Sequence, residues 1–173
     1  MRRLMLLRHA KAARQPGLAD FDRPLKPLGR EQSRALGEFM AANAWIPAFA
    51  LVSTAIRARE TFDLVDIFLH PPPERAEEPL IYEAPSERLL ALVRRLPPKH
   101  DSALLVGHNP GFEELTNELI STGEEEMLAR FKGDMPTAGL AVIDFHVDRW
   151  SEIKPATGLL ALFVAPAFID AQK

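Results

Sequence analysis

The chain has 173 residues, of which 47% are hydrophobic and 26% are charged. This length predicts one domain, residues 1–173, with a single substantial core. The formal net charge of −3 gives no general attraction to nucleic acids or to anionic membranes, so we expect neither as a partner. The absence of cysteine excludes disulfides, thiolate metal sites and cysteine nucleophiles, and it fits the cytoplasmic location that we expect.

The first residues superficially resemble a secretory signal, because Arg2 and Arg3 precede an apolar run. That run spans only residues 4–7 before Arg8 ends it, whereas a signal peptide needs about 7–15 apolar residues. No later stretch has the length and apolar character of a membrane span. The pattern therefore predicts that the run is a buried strand.

Short apolar runs alternate with longer amphipathic segments along the chain. In chain order the pattern predicts a strand at 4–7, a helix at 28–44, a strand at 48–52, a helix at 55–69, a rigid polar connection at 70–79, a helix at 86–96, a strand at 103–106, a helix at 111–121 and strands at 140–145 and 159–164. This alternation predicts a three-layer α/β fold, with a mostly parallel central sheet and helices on both faces. Because no helix is predicted between the last two strands, we expect them to form an antiparallel edge.

Cationic and imidazole side chains follow three of the predicted strands. Arg8 and His9 come directly after the first, Arg57 follows the second, and His108 follows the strand at 103–106. Singly, each has an ordinary interpretation as a surface pair, a solvated helix residue or part of a loop. Ligands of open α/β sheets bind beyond the carboxyl ends of the strands, so the coincidence predicts a phosphate pocket there. A helix beginning near Asn109, with that residue as its cap, would add backbone N–H donors.

The segments "LMLLRHAKA", "VSTAIRARET" and "LLVGHNPGF" resemble the three signature segments of the histidine phosphatase superfamily. The stretch "DFDRPLKPLGREQS" at 20–33 more specifically resembles the small SixA branch of phosphohistidine phosphatases. The resemblance extends from residue 4 to about residue 145 and implies a phosphoglycerate mutase-like fold. The chain departs from the family pattern at Ala10, Thr54-Ala55, Glu60 and Lys26, where glycine, serine-proline, glutamine and a helix-capping threonine are common.

The resemblance implies a role for each residue of the predicted pocket. His9 would attack phosphorus and form a phosphohistidine intermediate, while Arg8, Arg57 and a protonated His108 would bind the phosphoryl oxygens. Neighbouring arginines disfavour the imidazolium, so they would also keep His9 neutral. Arg23 is either a further phosphate contact or an ion-pair partner of a nearby aspartate. We expect no cofactor and no metal, since arginines repel divalent cations.

Glu83, in "LIYEAPSERLL", is the candidate proton donor for the leaving group. The alternative is that it forms the polar start of the following helix. A substrate that leaves as neutral imidazole needs such an acid least, so the resemblance favours a phosphohistidine-bearing signalling protein as the phosphorylated substrate. A phosphomonoesterase for a small metabolite, or a catalytically silent phosphate-binding module, are the alternatives that the sequence leaves open.

Overall fold

A computed structural model describes residues 1–171, and its secondary structure follows the alternation of strands and helices along the chain. The strands are β1 (Arg2–Arg8), β2 (Phe49–Val52), β3 (Glu74–Glu77), β4 (Ser102–Gly107), β5 (Ile120–Gly123), β6 (Leu140–Phe145) and β7 (Gly158–Val164). The helices are α1 (Pro27–Ala42), α2 (Ile56–Asp66), α3 (Ser86–Val93), α4 (Gly111–Leu119), α5 (Glu125–Phe131) and α6 (Pro166–Asp170).

The seven strands form one sheet in the order β3-β2-β4-β1-β6-β7-β5. Strand β1 lies in the middle, parallel to β4 and antiparallel to β6. The pairs β2-β3, β2-β4 and β5-β7 are parallel as well. The sheet is therefore mostly parallel, which confirms the predicted α/β class.

Alternating side chains of β1 divide between two hydrophobic clusters, one on each face of the sheet. Leu4 and Leu6 pack with residues of α3 and α4, whereas Met5 and Leu7 pack with residues of α1 and α2. All four side chains are buried, and each contributes about 1.5–3 kcal/mol by leaving water. The predicted layers of helices on both faces are thus confirmed, and the buried faces of β1 explain why its polar residues come only at its ends.

The prediction that the last two strands form an antiparallel edge of the sheet is wrong about the edge. Strands β6 and β7 do pair antiparallel, but β7 also pairs with β5, which takes the edge of the sheet. Strand β5 is short and half polar, and it lies where the helix at 111–121 was predicted to end. Strand β3 lies at the opposite edge inside the predicted rigid connection, and its Glu-Arg-Ala-Glu sequence is largely exposed. Neither strand has an apolar pattern to reveal it. Helices α5 and α6 were not predicted either.

The register of the central strands sets the position of the predicted pocket. Arg8 pairs with Gly107, so the residues that follow, His9 and His108, emerge side by side. Val52, the last residue of β2, pairs with Val106 of β4, which brings the end of β2 to the same edge of the sheet. The carboxyl ends of three parallel strands therefore meet where the sequence predicted a ligand site.

Candidate active site

A cavity of about 830 Å³ opens at the carboxyl ends of β1, β2 and β4. Arg8, His9, Arg57 and His108 all line it. The rings of the two histidines lie with their centroids 5.2 Å apart. The structure thus brings together the four residues that the sequence placed in one pocket.

His9 is buried, with 8% of its surface exposed, and both of its ring nitrogens have a partner. Nδ1 lies 2.8 Å from the backbone oxygen of Ala10, an atom that can only accept a hydrogen bond. Nε2 accepts a hydrogen bond from Nε of Arg57 at 3.2 Å. We therefore assign the proton to Nδ1 and an unshared electron pair to Nε2.

Burial, together with the smaller effect of the charges of Arg57 and Arg8, lowers the pKa of His9 to about 4, against the opposing effect of the hydrogen bond to Ala10. The sequence attributed a neutral His9 to its neighbouring arginines. The structure identifies the loss of solvation as the larger cause. At neutral pH the ring is uncharged, and the electron pair of Nε2 faces the cationic side of the pocket.

His108 is also neutral in the structure, whereas the sequence predicts a protonated ring when phosphoryl oxygens are bound. Burial, followed by the neighbouring His9 and Arg57, lowers its pKa to about 3. Its Nε2 lies 2.7 Å from Oγ of Ser53, and its Nδ1 has no hydrogen-bond partner among residues 1–171. Tyr82 packs edge-on against the ring, with centroids 5.5 Å apart. A dianionic phosphoryl group beside the ring would favour the protonated form again.

Arg57 connects His9 to Asp20. It lies in the first turn of α2 and is 5% exposed. Besides its contact with His9, it donates from Nη1 to the backbone oxygen of Asp20 at 2.5 Å and from Nη2 to Oδ2 of Asp20 at 2.9 Å. These three contacts fix the plane of the guanidinium group, so its position relative to the nucleophilic nitrogen is defined.

Asp20 accepts hydrogen bonds from three side chains at the pocket, and sequence reasoning did not identify this role. Arg23 donates to Oδ1 at 2.6 Å, and Tyr82 donates to Oδ2 at 2.8 Å. The Arg23 hydrogen bond, with those of Tyr82 and Arg57, holds the pKa of Asp20 well below its usual range. Asp20 and Tyr82 are 62 residues apart in the chain, so no local pattern could have revealed the contact.

Arg23 forms the ion pair that one interpretation predicted, and its role as a phosphate contact stays a prediction. It forms the ion pair with Asp20, and it lines the same cavity as His9. Its Nε donates to the backbone oxygen of Ala13 at 2.7 Å, which fixes the side chain against the pocket wall. Arg23 therefore belongs with Arg8 and Arg57 to the group of arginines that line the cavity, which we call the cationic cluster. Its charge is partly balanced by the carboxylate of Asp20.

Arg8 and Asn109 share one acceptor at the pocket wall, the backbone oxygen of Met135. Arg8 donates to it from Nη1 at 2.8 Å and Asn109 donates from Nδ2 at 2.9 Å. Burial lowers the pKa of Arg8, and its Nε has no partner among residues 1–171. The prediction that Asn109 caps α4 is wrong, because the cap position is Pro110 and the helix begins at Gly111.

Glu83 lies at the rim of the cavity and is exposed. Its backbone is in the left-handed region, with φ of 53°. Its carboxylate makes no hydrogen bond or ion pair within the described part of the chain. The alternative interpretation, a polar start of α3, fits Glu87 instead, because that helix begins at Ser86. The carboxylate that contacts the cationic cluster directly is that of Asp20.

Two absences apply to residues 1–171. No group of three or more histidine and acidic side chains is placed to hold a metal ion. No helix in that range is long and apolar enough to cross a membrane. The expectation that the chemistry needs no metal or cofactor stays a prediction.

Comparisons with known proteins indicate the family and the fold to which this chain is similar. A family model described as the histidine phosphatase superfamily (branch 1) matches residues 4–80. An uncharacterized protein of Mycobacterium tuberculosis is 33% identical over 162 residues, covering 92% of this chain and 99% of the relative. Among solved structures, a SixA protein of Agrobacterium tumefaciens, provisionally classed as a phosphohistidine phosphatase, is 32% identical with a TM-score of 0.80, covering 95% and 98% of the two chains. The protein histidine phosphatase SixA complexed with tungstate, 22% identical with a TM-score of 0.76 over 96% and 99% of the chains, shares the fold.

Proposed function

The chain belongs to the histidine phosphatase superfamily and is SixA-like, and from that premise we propose that it is a phosphatase acting through a phosphohistidine intermediate on His9. The observation that carries the proposal is the state of Nε2 of His9. That nitrogen is unprotonated, because the ring proton is held on Nδ1 by Ala10. It also faces the guanidinium group of Arg57. In this proposal that group binds the oxygens of a phosphoryl group that approaches Nε2.

Binding places the phosphoryl group against cationic and neutral donors. Arg8 and Arg57 supply guanidinium donors, and Arg23 adds a further charge at the wall. The dianion raises the pKa of His108, so this ring takes up a proton and donates to a phosphoryl oxygen. The sequence expectation of a cationic His108 therefore applies to the bound state in this proposal.

Transfer then occurs in two steps that leave the protein unchanged. The electron pair of Nε2 of His9 forms a bond to phosphorus while the bond from phosphorus to the leaving group breaks, and the charge gained by the ring is stabilised through the Nδ1 contact with Ala10. Water then attacks the phosphorus, the N–P bond returns its electrons to Nε2, and the proton lost by water leaves with inorganic phosphate.

The second part of the proposal is the substrate, a phosphohistidine borne by a signalling protein. Asp20 stays ionised because its cationic partners lower its pKa, and Tyr82 is a weak acid because burial and Asp20 raise its pKa to about 12. Neither has a pKa near the working pH that would suit a general acid for a leaving alkoxide, and the proton of His108 is donated to a phosphoryl oxygen instead. Phosphohistidine, by contrast, leaves as neutral imidazole once its second ring nitrogen has taken a proton from solvent.

A metabolite phosphomonoesterase with the same site is the second candidate. The cavity of about 830 Å³ favours it, because pockets of this size hold small phosphorylated molecules. The two candidates share His9 and differ in their need for the acid Glu83. A cytoplasmic location for either stays a prediction.

Replacement of His9 tests the proposal. We expect His9→Ala to abolish hydrolysis of phosphoramidate, a small N-phosphorylated compound, because among residues 1–171 no other side chain contacts Arg57 with an unprotonated ring nitrogen. His146→Ala is the matched control, since His146 is exposed and does not line the cavity. Near-normal turnover by His9→Ala would show that the nucleophile is another residue.

A further inference from the structure

A short two-stranded ribbon, formed by residues 11–13 and 24–26, borders the cavity. Ala12 and Leu25 form an antiparallel bridge. The backbone nitrogen of Lys26 donates to the oxygen of Lys11 at 2.9 Å. These segments and the residues next to them carry four cationic side chains that line the cavity. We call the two segments with these four side chains the basic ribbon: Lys11, Arg14, Arg23 and Lys26.

The fold holds the basic ribbon in place through Glu60 of α2. One carboxylate oxygen of Glu60 accepts from the backbone nitrogen of Leu25 at 2.6 Å, and the other accepts from Arg30 of α1 at 2.7 Å. Arg23 is fixed by Asp20. The ribbon is thus tied to both helices on its side of the sheet.

Three cations of the basic ribbon have no acidic partner in the described part of the chain. Lys11, Arg14 and Lys26 are exposed and make no ion pair or side-chain hydrogen bond within residues 1–171. Some other exposed cations, such as Arg30 and Lys99, pair with carboxylates. Arg34, Arg95 and Lys154 are exposed and make no ion pair within residues 1–171 either, but they do not line the cavity. Like charges held together at a cavity mouth attract an anionic ligand from outside the molecule.

The other side of the mouth carries the opposite charge. Glu83 and Glu114 line the cavity and are exposed. They come from the elements that cover the face of the sheet opposite to α1 and α2. The mouth is therefore basic on one wall and partly acidic on the other, with His9 and His108 between them.

We propose that the basic ribbon is a docking surface for acidic side chains next to the phosphohistidine of a protein substrate. This inference rests on the proposed function and specifies the substrate of the same site. An extended substrate chain can place carboxylates from one side of the phosphohistidine on the basic ribbon. Neutral or basic side chains on the other side of the phosphohistidine then lie near Glu83 and Glu114. A compact polyphosphate would bring added negative charge toward those two carboxylates. Exposed cations bind weakly one at a time, but several together select the orientation of a charged partner and accelerate its association.

Two synthetic peptides test the proposal, each with a central phosphohistidine and differing only in whether glutamate or lysine flanks it. We expect wild-type kcat/KM to favour the glutamate peptide by about tenfold at low salt, and salt to reduce that preference. The triple variant Lys11→Gln, Arg14→Gln, Lys26→Gln should bring the ratio of the two kcat/KM values close to one. A matched triple variant of exposed cations outside the cavity, Arg34→Gln, Arg95→Gln, Lys154→Gln, should keep the wild-type ratio.

The outcomes separate this inference from the function on which it rests. If the protein hydrolyses phosphoramidate and hydrolyses the two peptides at equal rates, the docking surface is wrong and the proposed phosphatase activity still holds. If neither peptide is hydrolysed, fluorescence anisotropy is used to measure binding of the unphosphorylated peptides. Selective binding of the glutamate peptide that is lost in the triple variant supports docking. Equal binding of the two peptides overturns it. Inhibition by pyrophosphate that is far stronger than inhibition by phosphate, and is lost in the triple variant, would assign the ribbon to a compact polyanion instead.

Discussion

At the scale of single residues, the two pocket histidines differ in what their ring nitrogens contact. His9 has a backbone acceptor on one nitrogen and a cationic donor on the other, so its tautomer is fixed. His108 contacts Ser53, whose hydroxyl can donate or accept. His9 is therefore suited to act as a nucleophile with a fixed electron pair, whereas His108 can change its protonation when an anion binds.

The depressed pKa values of both histidines predict a loss of stability in acid. A histidine with a lowered folded-state pKa binds a proton more readily in the unfolded chain, so its stabilising contribution is complete above about pH 6.5 and is lost as the pH falls towards the folded values of about 4 and about 3. We expect the free energy of unfolding, from urea titrations, to fall between neutral pH and about pH 4.5. In His108→Gln that fall should be smaller by roughly 2 kcal/mol. An identical pH dependence in the variant would contradict the account of His108.

Asp20 competes with phosphate for guanidinium donors, which predicts a split between binding and turnover in Asp20→Asn. The neutral side chain releases Arg23 and Arg57 from their ion pairs. Inorganic phosphate should then inhibit more tightly, by roughly threefold to tenfold. The kcat should fall about tenfold, because Arg57 loses its ion pair and keeps only its contacts with His9 and with the backbone oxygen of residue 20. Steady-state kinetics with phosphate as inhibitor measures both effects. Asp22→Asn, an exposed neighbour, is the control, and weaker phosphate inhibition in Asp20→Asn would disprove the competition.

Glu83 distinguishes the two candidate substrates. Because its carboxylate lies at the rim and contacts no cation of the cluster, Glu83→Gln should leave phosphohistidine turnover within about tenfold, or ~1.4 kcal/mol of barrier. Wild-type protein should hydrolyse phosphohistidine and aryl phosphates while barely acting on alkyl phosphates. Glu87→Gln, in the first turn of α3, controls for the loss of a nearby charge. Rapid hydrolysis of a sugar phosphate that collapses in Glu83→Gln would favour the metabolite phosphatase.

At the scale of elements, the sequence predicted those whose apolar pattern reflects burial and missed those without one. Strand β1 was recognisable because four consecutive residues are buried on alternating faces. Strand β3 has no buried residue, so only its pairing with β2 defines it. The positions of His9 and His108 could be predicted because they directly follow buried strands, and those of Arg8 and Arg57 because they lie at the end of β1 and at the start of the helix after β2. Asp20 and Tyr82 could not, because a loop and a single turn of helix bring them together across the pocket.

Helix α1 begins without a side-chain cap, which predicts a stabilising substitution. Lys26 occupies the cap position in an extended conformation, with ψ of 162°, and its side chain accepts no hydrogen bond from the helix. A threonine there would accept from a free N–H of the first turn and would remove a positive charge from the positive end of the helix dipole. Lys26→Thr should raise the free energy of unfolding by about 1 kcal/mol in urea titrations. Lys26→Ala removes the charge without adding a cap, and equal stabilisation by both variants would contradict the capping explanation.

At the scale of the whole molecule, the order of the strands creates the pocket. With β1 in the centre, β4 beside it and β2 on the far side of β4, three parallel carboxyl ends deliver His9, His108 and the start of α2 to one edge. Sequence alone could predict that each strand end carries such a group, but not that the strands are neighbours. The strand order depends on long-range packing, and it turns separate motifs into one site.

The most direct test of this account is the position of the phosphoryl group in the trapped intermediate. Wild-type protein would be incubated with phosphoramidate, quenched in base, which preserves phosphohistidine, and analysed by peptide mass spectrometry and phosphorus NMR. We expect a single phosphorylated residue, His9, with phosphorus on Nε2, because Nδ1 is held by the backbone oxygen of Ala10. Phosphorylation of His108, or attachment to Nδ1 of His9, would contradict it.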